Sequence, residues 1–563
     1  MKKINIINIW GLMCILFLSF FQACDSFEEA PLDILTDDTV WDTQDSLGIY
    51  AQRYLYGIYL QLPTLHNRIG NDYLDSGTDD GMPSIDKKDD GSVNSFRSGA
   101  ISTRNVVDGG AWNKNYTGIR RANVLLANID KINFNEALKG NKVQWKAEAR
   151  FLRAFFYFEL IKRWGGVPLV GDKVFGIDDK VDIPRNTIDE CINYILSELD
   201  AVYDDLFDPK GLADLNIGRA NKGAVNALRS RLLLYIASPL YNKNGDIQKW
   251  KDAASAAKQV IDMNTYSLHS SFKTLFYTIK NPESIFLFES GQSTSVETNN
   301  GPIGYQSTSY KLKGYTSPSQ NLVDAFLTIE GKKINDPDSK YDPQKPYNDR
   351  DPRLALTVFL NGSPWLKRKV EVYEGGLDKP NGNQYQTKTG YYLRKFMGAY
   401  ENSDNVANTH HSYIIFRYAE ILLNYAESLN ESDPTGSKLE IEDALKDIRK
   451  RAGIEEGSNN RYGIPEVYTQ DEMRDIIRNE RRIELAFEEH RFWDIRRWKI
   501  AEVVMNEPIK GVIVTKQKNG IFKYEVKDIQ NSVFDKNRMY WLPIPYSEIK
   551  ANPNMVQNPG WNY

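Results

Sequence analysis

The sequence predicts a mainly α-helical body: a helical frame from which unusually long loops depart to form a binding face. Two observations carry that expectation. Trp145, Ala149, Leu152, Phe156 and Leu160 recur at helical spacing through Val143–Arg163, and Phe151, Phe155, Phe158 and Ile161 make the remaining sides apolar. A helix apolar all round is packed between neighbours rather than laid on a surface. The loops, at 70–110, 289–319, 334–353 and 365–411, are rich in Gly, Asn, Asp, Ser and Pro. They are too long for simple connectors, and long excursions from a rigid frame are where binding surfaces form.

The chain opens on Lys2 and Lys3, an almost uncharged apolar run from Ile4 to Phe21, and a small residue, Ala23, before Cys24. That is the layout of a secretory signal. Residues 21–24 resemble the lipobox of bacterial lipoproteins, although Leu is usual where Phe21 stands. The resemblance implies that residues 1–23 are removed and that Cys24 is lipidated, with palmitate among its acyl chains. Acidic Asp25, Glu28 and Glu29 follow at once, where a membrane-spanning anchor would carry basic residues. Acyl chains contribute about 0.8 kcal/mol per buried CH₂, so two or three hold a soluble body on a membrane.

The predicted helices then follow in order: 43–60, 112–128, 143–163, 187–206, 222–237, 250–261, 413–430, 441–451 and 472–500. Gly165, Gly166 and Pro168 stop the third. The pairs near the start and in the last third are small-and-aromatic in composition, as in stacked helix-turn-helix repeats, but no fixed period runs through them. Two packed regions are expected, 24–235 and 236–563, forming one globular body.

Composition removes several function classes. With 563 residues, a net charge of −4 and a pI near 5.9, there is no electrostatic case for nucleic acid. Of the three cysteines, Cys14 lies in the signal and Cys24 at its end. Cys191 is left alone, so neither a disulfide framework nor a zinc cluster can be built. No H-E-x-x-H, G-x-S-x-G or phosphate-loop pattern occurs. His410 and His411 are adjacent, in a loop, and read as a solvated turn. Asp86, Asp90 and Gly91 match the first, fifth and sixth positions of an EF-hand loop, but Lys88 and Arg97 occupy ligand positions. That leaves room only for an irregular calcium site; no metal and no cofactor is expected.

Six segments in one order carry a family resemblance: Trp112–Asn123 (WNKNYTGIRRAN); Ala147–Ala154 (AEARFLRA) continuing to Arg163–Leu169 (RWGGVPL); Arg350–Leu354 (RDPRL); Phe416–Glu427 (FRYAEILLNYAE); Glu480–Glu488 (ERRIELAFE) continuing to Arg491–Trp498 (RFWDIRRW); and Trp541–Pro545 (WLPIP) with Gln557–Gly560 (QNPG). Together these resemble the SusD/RagB family of outer-membrane nutrient-binding lipoproteins of the Bacteroidetes, over nearly the whole mature chain. The resemblance implies tetratricopeptide-like helix pairs supporting a loop-rich ligand face, and a cell-surface location in the outer leaflet. It also implies a SusC-type TonB-dependent transporter as partner, and an oligosaccharide cargo used as nutrient; some relatives handle peptides.

The charged motifs themselves read as structural. Glu480, Glu484 and Glu488 fall four residues apart with Arg481, Arg482, Arg491 and Arg497 nearby. An arginine beside each acid favours a permanently ionised carboxylate, which disfavours glycosidase acid–base chemistry. The same reading covers Arg417 with Glu420, and Glu148 with Arg150 or Arg153. The protein is therefore not expected to be an enzyme.

A sugar is held by an aromatic plate under its C–H face and polar groups at its edge. Two loop regions offer that mixture: Asp72, Tyr73, Asp79, Asp80, Asn94 and Arg97, where the family often places part of its site, and Tyr305, Gln306, Tyr310 and Tyr315. Trp365 and Tyr385 are further candidates. Trp112, Trp145, Trp164 and Trp498 belong to the frame motifs and are expected in the core.

Overall fold

A computed structural model describes residues 37–562 apart from Leu65, 86–90, Ile177 and 306–309. Cys24, the residue expected to be lipidated, the candidate Gln306 and most of the EF-hand-like stretch lie outside the described residues.

The helices of the first half are α1 (Ile49–Tyr59), α2 (Gly110–Asn128), α3 (Lys139–Trp164), α4 (Ile188–Val202), α5 (Lys222–Ala237) and α6 (Ile247–Asp262). Those of the second half are α7 (Tyr418–Ser432), α8 (Lys438–Ala452), α9 (Gln470–Glu484) and α10 (His490–Arg497). The strands used below are β1 (Gly81–Pro83), β2 (Ser284–Phe288), β3 (Thr316–Pro318), β4 (Tyr413–Arg417), β5 (Ile509–Lys516) and β6 (Phe522–Gln530).

Local chemistry sets several boundaries. Thr187 caps α4 through a reciprocal box: its hydroxyl accepts the Glu190 N–H at 3.2 Å, and Glu190 accepts the Thr187 N–H at 2.8 Å. Thr469 and Glu472 repeat the device at α9. Asn221 caps α5 by accepting the Ala224 N–H. The long α3 ends where Gly165 takes φ 72°, ψ −139°, a backbone region open to glycine.

Sequential helices pack pairwise: α2 on α3, α3 on α4, α5 on α6, α6 on α7, and α7 on α8 and α9. As expected, α3 is sheathed on all sides. Phe151, Phe155, Phe156 and Phe158 are buried, and β2 with β4 covers the first two edge-on, Phe151 meeting Phe286 at 5.4 Å and 88°. Trp112, Trp145, Trp164 and Trp498 are all buried, in line with their frame motifs. A second core, with Phe359, Trp365, Tyr391, Tyr392 and Phe396, lies under the long loops.

Two predicted helices need correction. Residues 413–417 are not helix but strand β4, antiparallel to β2; the run Tyr-Ile-Ile-Phe is buried throughout, and such a run has no periodicity to separate the two states. The predicted helix 472–500 is two helices. Phe487 (φ 60°) and Glu489 (φ 63°) break it, and the oxygens of the buried Asp75 carboxyl accept both of their N–H groups at 3.2 Å. The sequence expectation also missed the β5–β6 hairpin, whose eight paired positions run from Ile509↔Gln530 to Lys516↔Phe522.

The ion pairs expected between near neighbours are real in kind but different in partner. Glu420 pairs with Arg231 at 2.6 Å, not Arg417. Glu148 takes Arg219 and the Tyr59 hydroxyl, while Arg150 and Arg153 both hold Glu198. Arg417 instead meets Glu283, Glu484 and Glu488, each at 2.7 Å. Around it, Glu283, Asp351, Glu480, Glu484 and Glu488 face Arg353, Lys395, Arg417, Arg449 and Arg451, five carboxylates against five cations.

Candidate functional site

The two loop regions singled out in the sequence converge. β1 pairs antiparallel with β3, Gly81 opposite Pro318 and Pro83 opposite Thr316. The joint is sewn by side chains: the Ser84 hydroxyl donates to Gly314 O at 2.5 Å, the Tyr73 N–H to the Thr316 hydroxyl at 3.3 Å, and Asn67 and Asn300 exchange two amide hydrogen bonds at 2.9 and 2.8 Å.

Most of the candidate side chains are spent inside that joint, and several do not form an open binding rim. Asp79 is buried between Arg482 (2.7 Å) and Arg491 (2.8 Å), whose positive charges hold its carboxyl far below the usual range. Asp80 sits beside it against Arg482; burial and the Asp79 charge raise its carboxyl. Asp72 is buried and accepts from the Thr316 hydroxyl. Tyr73 stacks on Phe396 at 5.6 Å, and its hydroxyl and His66 Nδ1 share a hydrogen bond at 2.8 Å. Arg97 is 1% exposed, donates to Thr78 O and the Ser532 hydroxyl, and is pulled down to about 10 by burial.

In the second region, Tyr305 is buried under Arg368, whose guanidinium carbon lies 3.5 Å from the ring centroid. Tyr315 is 8% exposed and meets Tyr385 edge-on at 5.9 Å. Trp365 is 0% exposed, between Phe359 and Tyr400, so it is core rather than a sugar plate. Tyr310, Tyr385 and Asn94 remain half-buried and within reach of solvent. The physical cause is common to all: a loop of this length has no helix or sheet core and must bury its own aromatics to hold a shape.

The family motif at 480–498 fastens the loop to the frame. Arg482 and Arg491 clamp Asp79 and Asp80, Asp75 holds the turn at 487–489, and Glu489 accepts from Arg68 at 2.7 and 2.9 Å.

Beside the joint opens a polar cleft of about 650 Å³, which the sequence expectation missed because its loop began at Gly70. Thr64, His66, Asn67, Arg68, Lys114 and Asn115 line it; the polar run between Pro63 and Gly70 is the signal that points to it. Its volume is that of ordinary ligand sites. Arg68 and Arg163 converge on Asp108, and Arg163 also holds Glu159 at 2.7 Å. These charges cancel locally. Burial and the neighbouring His411 push the His66 imidazole down to about 3, so the ring is neutral. Lys114 donates to Leu62 O at 2.8 Å and is lowered by burial and by Arg68.

The two acids on the cleft are poor proton donors. Neighbouring cations hold Asp108 low, and Lys162 with Arg163 holds Glu159 at about 2 despite its burial. A general acid for glycoside cleavage needs a raised value. Among the described residues no cluster of three or more His, Cys, Asp or Glu is placed to hold a metal, and no helix is long and apolar enough to cross a membrane.

A helical frame carrying a loop-built polar cleft is the architecture of a binding protein, and the comparisons agree on the family. Residues 282–561 match the family model described as "SusD family", and residues 67–234 match "Starch-binding associating with outer membrane". The chain belongs to the SusD family. It is 28% identical to SusD-like protein P2 of Formosa agariphila, over 97% of this chain and 98% of that one. Among solved structures, a SusD-like protein of Bacteroides fragilis superposes with a TM-score of 0.77 at 27% identity, covering 95% of this chain and all of the other. A SusD-like carbohydrate binding protein, also of Bacteroides fragilis, shares the fold with a TM-score of 0.74 at 24% identity, covering 90% and 99%.

Proposed function

We propose that this chain is a cell-surface lipoprotein that captures an oligosaccharide in the cleft at His66, Asn67, Arg68 and Lys114 and passes it to a SusC-type TonB-dependent transporter. The observation that carries the reading is the cleft's chemistry: its arginines are compensated by Asp108, Glu159 and Glu489, while amides, a hydroxyl, a neutral imidazole and the single Lys114 ammonium complete its wall. Such a wall suits an uncharged polyhydroxyl ligand. Tyr310 is half-buried on the loop that leads into β3, and half-buried Tyr385 meets Tyr315 of that loop edge-on at 5.9 Å; in this reading their rings supply aromatic contact. The family description as starch-binding, and a fold neighbour described as carbohydrate binding, support the same ligand class.

The function is capture without catalysis. Lipid at Cys24 keeps the body beside its transporter, so cargo held in the cleft stays at a high effective concentration near the channel. Energy for uptake comes from the partner. The test is calorimetry with oligosaccharides from starch, laminarin, xylan and agarose on the purified protein and on Lys114→Met and Tyr310→Ala. Saturable binding weakened in both variants supports the site. Affinity for peptides and none for sugars would replace the glycan reading with peptide import.

A further inference from the structure

A second groove, sharing no residue with the cleft above, lies on the other side of the C-terminal turn of α3: Arg163 lines the cleft, and Gly165 and Gly166 line the groove. It measures about 750 Å³ and is bounded by the entry to α4, the turn joining α5 to α6, and the C-terminal stretch that includes Trp541 and Asn558. The rings of Tyr241 and Trp541 form a corner in it, centroids 5.2 Å apart and planes at 89°. Both rings are half-buried.

The groove has a rigid floor and an uncommitted rim. On the floor, Asn558 donates to Trp164 O (3.1 Å) and Leu542 O (2.7 Å) and accepts from Arg185 (2.9 Å). Arg185 also donates to the carbonyls of Trp164, Gly166 and Val556. Three ring carbons of Trp541 lie 3.8 Å from where a Cβ on Gly165 would stand, so the indole rests on bare backbone. On the rim, among the described residues, Lys243, Asn244, Lys249 and Asp189 carry no ion pair or side-chain hydrogen bond, and the Trp541 indole N–H meets no acceptor. Two lysines face Asp189 and Asp246, so the rim has no strong preference for an ionic ligand.

An aromatic corner over a fixed floor, edged by free donors and acceptors of mixed sign, is the arrangement that takes the C–H face and hydroxyl edge of an uncharged sugar ring. We propose that the Tyr241–Trp541 groove is a second carbohydrate subsite, which grips a neutral pyranose unit of a glycan while the loop-face cleft holds another. This rests on the glycan reading above. Two weak contacts on one chain slow its escape, because release of one end leaves the other bound and the second contact is remade locally.

The test uses the full-length protein in detergent with 5-fluorotryptophan incorporated, the Trp541 resonance being assigned by its loss in Trp541→Phe. Oligosaccharides from starch, laminarin, xylan and agarose are titrated in. The expected result is a saturable shift of the Trp541 signal with a sugar that calorimetry shows to bind, persisting in Tyr310→Ala. Lys243→Ala combined with Asn244→Ala, both exposed and harmless to folding, weakens that step roughly threefold, and Trp541→Leu about tenfold. A sugar whose binding is lost in Tyr310→Ala but which never moves the Trp541 signal overturns this inference and leaves the loop-face reading intact. A Trp541 response to peptides and not to sugars overturns it too. Failure of every oligosaccharide to bind overturns both.

Discussion

Replacing Glu484 by Gln removes the charge at the centre of the buried lattice while keeping its volume. The glutamate is fully buried and touches three guanidiniums: Arg353 at 2.8 Å, Arg417 at 2.7 Å, and Arg451. Five acids and five cations become four against five. Breaking a buried ion pair from one side costs about 3–5 kcal/mol. The lower end applies here, because Arg353 keeps Asp351 and Glu480, Arg417 keeps Glu283 and Glu488, and Arg451 keeps Glu283. With an unfolding entropy of about 2 cal/mol/K per residue, a body of this length has ~1 kcal/mol/K, so 3 kcal/mol lowers Tm by about 3 °C. Amides that exchange through global opening should exchange about a hundredfold faster.

The sign of the pH dependence follows from the same geometry. Despite burial, the surrounding Arg451, Arg417 and Arg353 hold the Glu484 carboxyl well below its ordinary value of 4.5. A depressed folded value contributes stability that is present above pH 4.5 and lost as pH falls through the folded value. The deficit of Glu484→Gln is therefore full at pH 7 and narrows once the pH drops below about 4.5. Calorimetric melting of both proteins between pH 3 and 8, with hydrogen exchange at pH 7, checks it. An unchanged Tm at pH 7, or a deficit that grows on acidification, would refute the role given to the lattice.

Three further outcomes can be checked directly. Cys191 is buried, its thiol sits 3.5 Å from Val167 O, and burial pushes it up to about 11; a thiol reagent at pH 8 should label it only after denaturant is added. Asp75→Ala strands the N–H groups of Phe487 and Glu489 and should cost ~2–4 kcal/mol, read as a lower denaturant midpoint with loosened exchange at 72–84. Cys24→Ala should move the protein from the membrane fraction to the supernatant; unchanged partitioning would remove the lipid anchor.

The frame was legible from the chain because its rules are local. α5 falls at Lys222–Ala237 as expected, since Asn221 caps it and Ala, Leu and Arg fill it. The break at Phe487 and Glu489 was not legible: neither is Gly or Pro, and the carboxyl that stabilises it comes from Asp75, four hundred residues earlier. Shorter separations, from 67 to 134 residues, still hid the partners of Glu148 and Arg417. In the candidate site, the convergence of two loops and the burial of Tyr73 depend on the β1–β3 pairing, for which three-residue strands leave no pattern, and Trp365 is buried by Phe359 and Tyr400 of other segments. Composition identified the regions; only the fold shows that Asp79 and Asp80 clamp the loop rather than face a ligand.

The most direct measurement is calorimetric titration of the purified full-length protein with neutral oligosaccharides, run alongside an assay for new reducing ends. The expected result is saturable heat of binding with the sugar recovered intact. Release of reducing ends, or no affinity for any glycan, would contradict capture without catalysis.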